Sequence, residues 1–169
     1  MWSSRRGVFA ALALLLGACG FQPLYGEHGG GETVAAMGGI AISPIPDRIG
    51  SVIRNRLLDR MTPKGEPGEP RYVLDITLKA RREGIGVQRD ASVSRVNLWV
   101  TADFRLLDRQ ASRAPVLVGS TTSIAAFNVL RADYANVVAE RDAEDRVAGE
   151  IGDDIVRRVG VFFRRRSGV

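Results

Sequence analysis

The chain has 169 residues, 45% of them apolar, and a formal charge of +5, a size that suits one domain with a real core. A single cysteine and a single histidine exclude an intrachain disulfide framework and a histidine-rich metal site. Arg5 and Arg6 lie in an N-terminal leader, so the remainder carries only +3, a mild excess that by itself names no polyanionic partner.

The leader reads as an export signal. Arg5 and Arg6 precede the apolar run 8–16, and Leu16-Gly17-Ala18-Cys19 closes it with the Leu-small-small-Cys form of a lipoprotein cleavage site. The run is far short of the ~20 apolar residues that span a bilayer. Residues 1–18 are therefore expected to be removed and Cys19 lipidated, its sulfur taking a diacylglycerol and its freed amine an acyl chain such as palmitate. Several chains together anchor stably where one does not. Acylation also removes a free thiol from an oxidising compartment. Val8 stands where a twin-arginine signal prefers Phe, which favours the general secretory route. Gly20 replaces the Asp that commonly retains lipoproteins in the inner membrane, so the expected location is the periplasmic face of the outer membrane.

Residues 19–38, with Gly29-Gly30-Gly31 inside them, show no periodicity and are expected to form the lipidated N-terminus and a flexible tether. Residues 39–45 read as a short strand. Pro46-Asp47 opens a helix with Asp47 as N-cap, and Ile49, Val52, Ile53, Leu57 and Met61 recur on one face. A breaker-rich loop covers 63–70. Three strand-like runs follow. Tyr72, Leu74, Ile76 and Leu78 alternate with polar neighbours in the first, and Val96, Leu98, Val100, Ala102, Phe104 and Leu106 alternate in the second. The third, from Pro115 to about Asn128, is expected to bury Val116, Val118, Ile124 and Ala126. A long helix over 133–163 carries the stripe Val137, Val147, Ile151, Ile155, Val159 and Phe162. The fold class is α+β, two helices packed on one face of a mainly antiparallel sheet, with residues 39–169 as a single domain.

The motifs argue against catalysis. His28 lies in the glycine-rich stretch, Cys19 is taken by lipid, and neither Gly-x-Ser-x-Gly nor a phosphate loop is present. Gly84-Ile85-Gly86 reads as a turn or bulge. The chain is expected not to be an enzyme and to need no cofactor beyond the covalent lipid. Two arginine groups remain. Arg81, Arg82, Arg89 and Arg95 gather around the turn between two strands, where charges ordinarily protect a sheet edge. Arg157, Arg158, Arg164, Arg165 and Arg166 load the end of the last helix and complement its dipole. Export removes nucleic acid as a partner.

Three stretches carry a resemblance to a known family: Cys19-Gly20-Phe21-Gln22-Pro23-Leu24-Tyr25-Gly26; Arg95-Val96-Asn97-Leu98 leading into Ala102-Asp103-Phe104-Arg105-Leu106-Leu107-Asp108; and Phe127-Asn128-Val129-Leu130 through Asp133-Tyr134-Ala135-Asn136 to Glu140-Arg141-Asp142-Ala143. They resemble the lipopolysaccharide-assembly lipoproteins called LptE. The resemblance implies two helices on a four-stranded sheet and a non-enzymatic role. It implies a plug inside the outer-membrane β-barrel LptD that assists the barrel's assembly and takes part in binding and delivering lipopolysaccharide to the outer leaflet. Basic side chains bind the lipopolysaccharide in that family. No motif fixes which arginines correspond here, and Arg81, Arg82, Arg89 and Arg95 are the assigned set. The alternative is an auxiliary lipoprotein of a phospholipid or solute transporter in the cell envelope.

Overall fold

Two 16-residue strands whose apolar residues alternate can bury that row only by pairing in register, and in the computed structural model they do. It describes residues 31–63, 65–87, 93–111, 114–129 and 132–166. The leader, Cys19, His28 and Arg89 lie outside the described residues. In chain order the elements are α1 (Gly31–Gly38), β1 (Ile40–Ile42), α2 (Asp47–Met61), β2 (Tyr72–Val87), β3 (Val93–Asp108), β4 (Pro115–Asn128) and α3 (Asp133–Arg166). The sheet order is β1-β2-β3-β4. β2 pairs antiparallel with β3, and β3 with β4, while β1 joins β2 in parallel through the α2 crossover.

The first expectation to change is the tether. Its last eight residues form α1, and Met37 is only 1% exposed, part of the core. Ala35-Ala36-Met37 are good helix formers, and Met37 supplies the apolar area that ties the turn down. The carbonyl of Gly39 then accepts from the N–H groups of Arg71 and Tyr72, at 3.0 and 3.2 Å. β1 stops early because Pro44 has no N–H to continue the ladder. Pro46, rather than Asp47, is the N-cap of α2, with no side-chain cap bond, and Asp47 is the first helical residue at φ 69. Asp is among the residues that tolerate this left-handed region. Gly50 is required where α2 folds back on Ile45, since a Cβ there would lie 2.8 Å from the Ile45 carbonyl oxygen.

Leu74 and Ile76 of β2 and Leu98, Val100, Phe104 and Leu106 of β3 face both helices, against Ile53 and Leu57 of α2 and Ile151, Ile155 and Val159 of α3. Successive ion pairs link Arg48 to Glu144 and Arg56 to Asp153, so α2 and α3 run in the same direction. Val116 packs against the core as expected, but beyond it β4 presents the face opposite to the expected one. Register places Leu117, Gly119, Thr121, Ser123 and Ala125 beside the buried row of β3, leaving Val118 63% and Ile124 46% exposed. The physical reason is space: a Cβ at Gly119 would sit 2.4 Å from the Phe104 ring, and Ser123 is taken up by a 2.5 Å bond to Glu150 of α3. Small residues, not large ones, fit beneath the helix. Val137 is likewise exposed, and packing of α3 starts at Ala143. Arg146 is level with Ala126, near the end of β4, so the earlier turns run past that strand. At the far end Phe163, with Phe162 only half-buried, enters the core edge-on to Tyr72.

Candidate functional site

The hairpin arginines divide by strand geometry. Arg81 and Arg82 are neighbours on β2, so their side chains leave opposite faces. Arg82 turns to the helix side and meets Glu140 at 2.6 Å and Glu144 at 3.7 Å. Glu144 is buried and also accepts from Arg48 at 2.5 Å. Arg82 thus clamps the hairpin to α3. Arg81 lies on the face that no described helix covers, its guanidinium 5.2 Å from the Trp99 ring centroid and 3.6 Å from Glu83. The indole Nε1–H beneath is buried without a partner among the described residues. Arg95 shares that face opposite Ile85 and is exposed. The expected four-arginine cluster is therefore not one surface: Arg81 and Arg95 share a face, and Arg82 is directed away from it.

The same face carries Lys79 paired with Asp103 at 2.9 Å and Thr101 bonded to Thr122 at 2.9 Å. Hydrogen bonds from Lys79 and then Ser120 hold the Asp103 carboxyl below its ordinary range. Ile85 and Ile124 stand exposed beside these polar groups. Cationic and apolar side chains alternate here with no helix over them among the described residues.

A second arrangement, a groove of about 560 Å³, opens between β4 and the last turns of α3. Phe104, Leu117, Val161 and Phe162 give it an apolar floor beside Val118 and Gly119, and Arg157, Arg158, Arg165 and Arg166 rim it. Helical spacing explains the rim and half the floor, because 157, 161 and 165, and 158, 162 and 166, form two rows four residues apart on one face. Gly119 explains the rest, because without a Cβ it lets the buried Phe104 ring pack against the β4 backbone at the base of the groove. Asp154 pairs with both Arg157 and Arg158, the latter at 2.7 Å. No described carboxylate pairs with Arg165 or Arg166. These arginines are legible in sequence as a helix end. Phe104 at the base comes from β3, more than fifty residues away in the chain, and has no local signal.

Among the described residues no group of three or more His, Cys, Asp or Glu side chains is placed to hold a metal ion, and no helix is long and apolar enough to cross a membrane. Both arrangements place cations beside apolar area, the chemistry that a binding surface uses.

No curated protein matches the chain in sequence. Its fold is similar to three solved structures. One is a protein from Caulobacter crescentus CB15, 22% identical, with TM-score 0.65 over 77% of this chain and 94% of that one. Another is a minor lipoprotein from Acinetobacter baumannii, 17% identical, with TM-score 0.57 over 72% and 90%. The third is the rare lipoprotein B of Shewanella oneidensis, 10% identical, with TM-score 0.58 over 76% and 98%. At these identities the likeness concerns the fold. The model of the lipopolysaccharide-assembly family LptE matches residues 37–159, from the buried Met37 to the last core valine of α3, and on that match the chain belongs to the LptE family.

Proposed function

We propose that this chain is an outer-membrane lipoprotein, held at the periplasmic face by acyl chains on Cys19, that plugs the LptD β-barrel, assists its assembly and takes part in binding and delivering lipopolysaccharide. The family match over residues 37–159 carries the reading. Membership makes it a lipopolysaccharide-assembly protein of a non-enzymatic family, and the plug, the anchor and the lipid contacts are the finer steps proposed here. Two features of the surface support them. The helix-free sheet face mixes exposed Ile85, Val118 and Ile124 with Arg81 and Arg95, and α3 begins with exposed Tyr134, Val137 and Val138 at helical spacing. Such apolar area is ordinarily covered by a partner.

For lipopolysaccharide, the proposed contacts are Arg81 and Arg95, with Arg89 between them in sequence. Arg82 serves instead to hold the hairpin against α3. Guanidinium forks suit phosphate groups, and the neighbouring isoleucines suit an acyl chain. Mild-detergent extraction of an affinity-tagged chain tests the partner. A large β-barrel protein should co-purify. Its absence defeats the reading, and an inner-membrane transporter in its place would favour the auxiliary-lipoprotein alternative. Replacing Arg81, Arg89 and Arg95 together by Ala should weaken lipopolysaccharide binding at least tenfold while barrel co-purification persists. Unchanged affinity would remove these residues from the site.

A further inference from the structure

β4 ends the sheet, so among the described residues one of its edges has no partner strand. The direction of its free groups can be read from a single bond. Arg146 donates to the carbonyl of Ala126 at 3.2 Å, which turns that carbonyl away from β3. Register with β3 is unbroken from Val118 to Asn128, so by strand alternation the N–H and C=O groups of Val118, Ser120, Thr122 and Ile124 point the same way. All four residues are exposed.

Proteins usually protect such an edge with charge, proline, a bulge or brevity. The opposite edge follows this rule, since β1 has three residues and Pro44 closely follows it. β4 does not. Its fourteen residues include no charged side chain, although a quarter of the whole chain is charged. Its one proline begins the strand, and the register shift lies before Val118. At that end the edge runs into the arginine-rimmed groove, which shares Val118 and Gly119 with it.

We propose that β4 is a strand-addition site for an extended, acidic segment of a partner protein. Its backbone pairs with residues 118–124, one apolar side chain enters the groove over Phe104 and Phe162, and its carboxylates meet Arg157, Arg158, Arg165 and Arg166. Main-chain bonds supply affinity in this mode, and the pocket supplies specificity. Charge selects the occupant. A second copy adding its own β4 brings no carboxylate to the rim, because that strand has none. A lipid chain fills the groove but leaves the edge donors and acceptors of 118–124 unmatched. The inference stands apart from the proposed lipopolysaccharide contacts, which lie on Arg81, Arg89 and Arg95.

The test uses the full chain in mild detergent and a labelled peptide of alternating Thr and Val ending in Phe-Glu-Glu, followed by fluorescence anisotropy. Binding should weaken at least tenfold when alternate peptide amides facing β4 are N-methylated, and change little when the other set is methylated. This control leaves the protein untouched. Exchanging the peptide's Glu for Lys, or Arg165→Glu with Arg166→Glu in the protein, should each weaken it at least fivefold. Val118→Lys, at an exposed position, should block pairing without affecting folding. No binding at millimolar peptide overturns the proposal, as does binding indifferent to which amides are methylated. Sedimentation as a dimer that Val118→Lys dissociates would make a second copy the occupant. Decyl phosphate binding the groove in place of the peptide would make it a lipid site. Either result overturns the proposal.

Discussion

A methyl group added at Gly119 would have nowhere to go. Its Cβ would lie 2.4 Å from Cζ and 2.8 Å from Cε1 of Phe104, a side chain only 1% exposed, so the ring must move or β4 must lift. Forcing one carbon into a filled site costs about 1–3 kcal/mol. Against that, Ala in place of Gly within a strand gains roughly 0.5–1 kcal/mol by restricting the unfolded chain. The expected balance for Gly119→Ala is a loss of about 1–2 kcal/mol, measured by urea unfolding followed through tryptophan fluorescence. The cause is tested by Phe104→Leu, which on its own should be destabilising because it removes buried area. In that background Gly119→Ala should be nearly neutral, since the ring it meets is gone, giving a coupling energy of about 1 kcal/mol or more. If Gly119→Ala is neutral in the wild-type background, or the two changes simply add, the close approach of Phe104 to β4 is not what the small residue serves.

Glu144→Ala should cost about 1–2 kcal/mol in urea unfolding. Its partners Arg48 and Arg82 are about half exposed and regain water, so a loss beyond about 3 kcal/mol would mean that the cluster behaves as a fully buried pair. Asp153 supplies a pH prediction. The hydrogen bond from Arg56 holds its carboxyl below the ordinary range, so its contribution is fully present above the unfolded value of about 3.9 and is lost as pH falls through the lower folded value. The gap in urea midpoint between wild type and Asp153→Asn should accordingly narrow below about pH 4, and a gap independent of pH would refute the linkage. Expressed without the barrel partner, Cys19→Ala should move the protein from the membrane to the soluble periplasmic fraction with an unchanged melting temperature. Failure of that variant to fold would count against the anchor as a delivery device.

Strong periodicity made the architecture legible. Tyr72 to Leu78 and Val96 to Leu106 alternate without a break, and Ile49 to Met61 recur at helical spacing, so each could bury its apolar side in only one way. The inward face of β4 is not legible in sequence because both of its faces contain apolar or small residues, and the deciding fact is non-local: Phe104 and α3 occupy the space that larger side chains would need. Where α3 begins to pack is hidden for a related reason. Val137 continues the helical period, but periodicity cannot tell where the supporting strand ends. Neutral glycines hide α1 in the sequence, where Met37 is a weak sign that the segment just before Gly39 joins the core. The assigned arginine cluster failed in part on a rule available in the sequence: adjacent strand residues point to opposite faces, so Arg81 and Arg82 could not converge. The arginine groove needed a floor from one element and a rim from another, which no linear pattern displays.

The arginine-rich composition separates into two populations once partners are known. Arg48, Arg56, Arg60 and Arg82 each reach a carboxylate on α3, fastening α2 and the hairpin to the long helix. Arg95, Arg165 and Arg166 have no carboxylate partner among the described residues, while Arg81 rests on Trp99. The sheet face and the end of α3 hold both kinds, since Arg81 lies 3.6 Å from Glu83 and Asp154 pairs with Arg157 and Arg158 beside Arg165 and Arg166. Four arginines thus hold α2 and the hairpin against α3, while Arg95, Arg165 and Arg166 are left available to a ligand or partner.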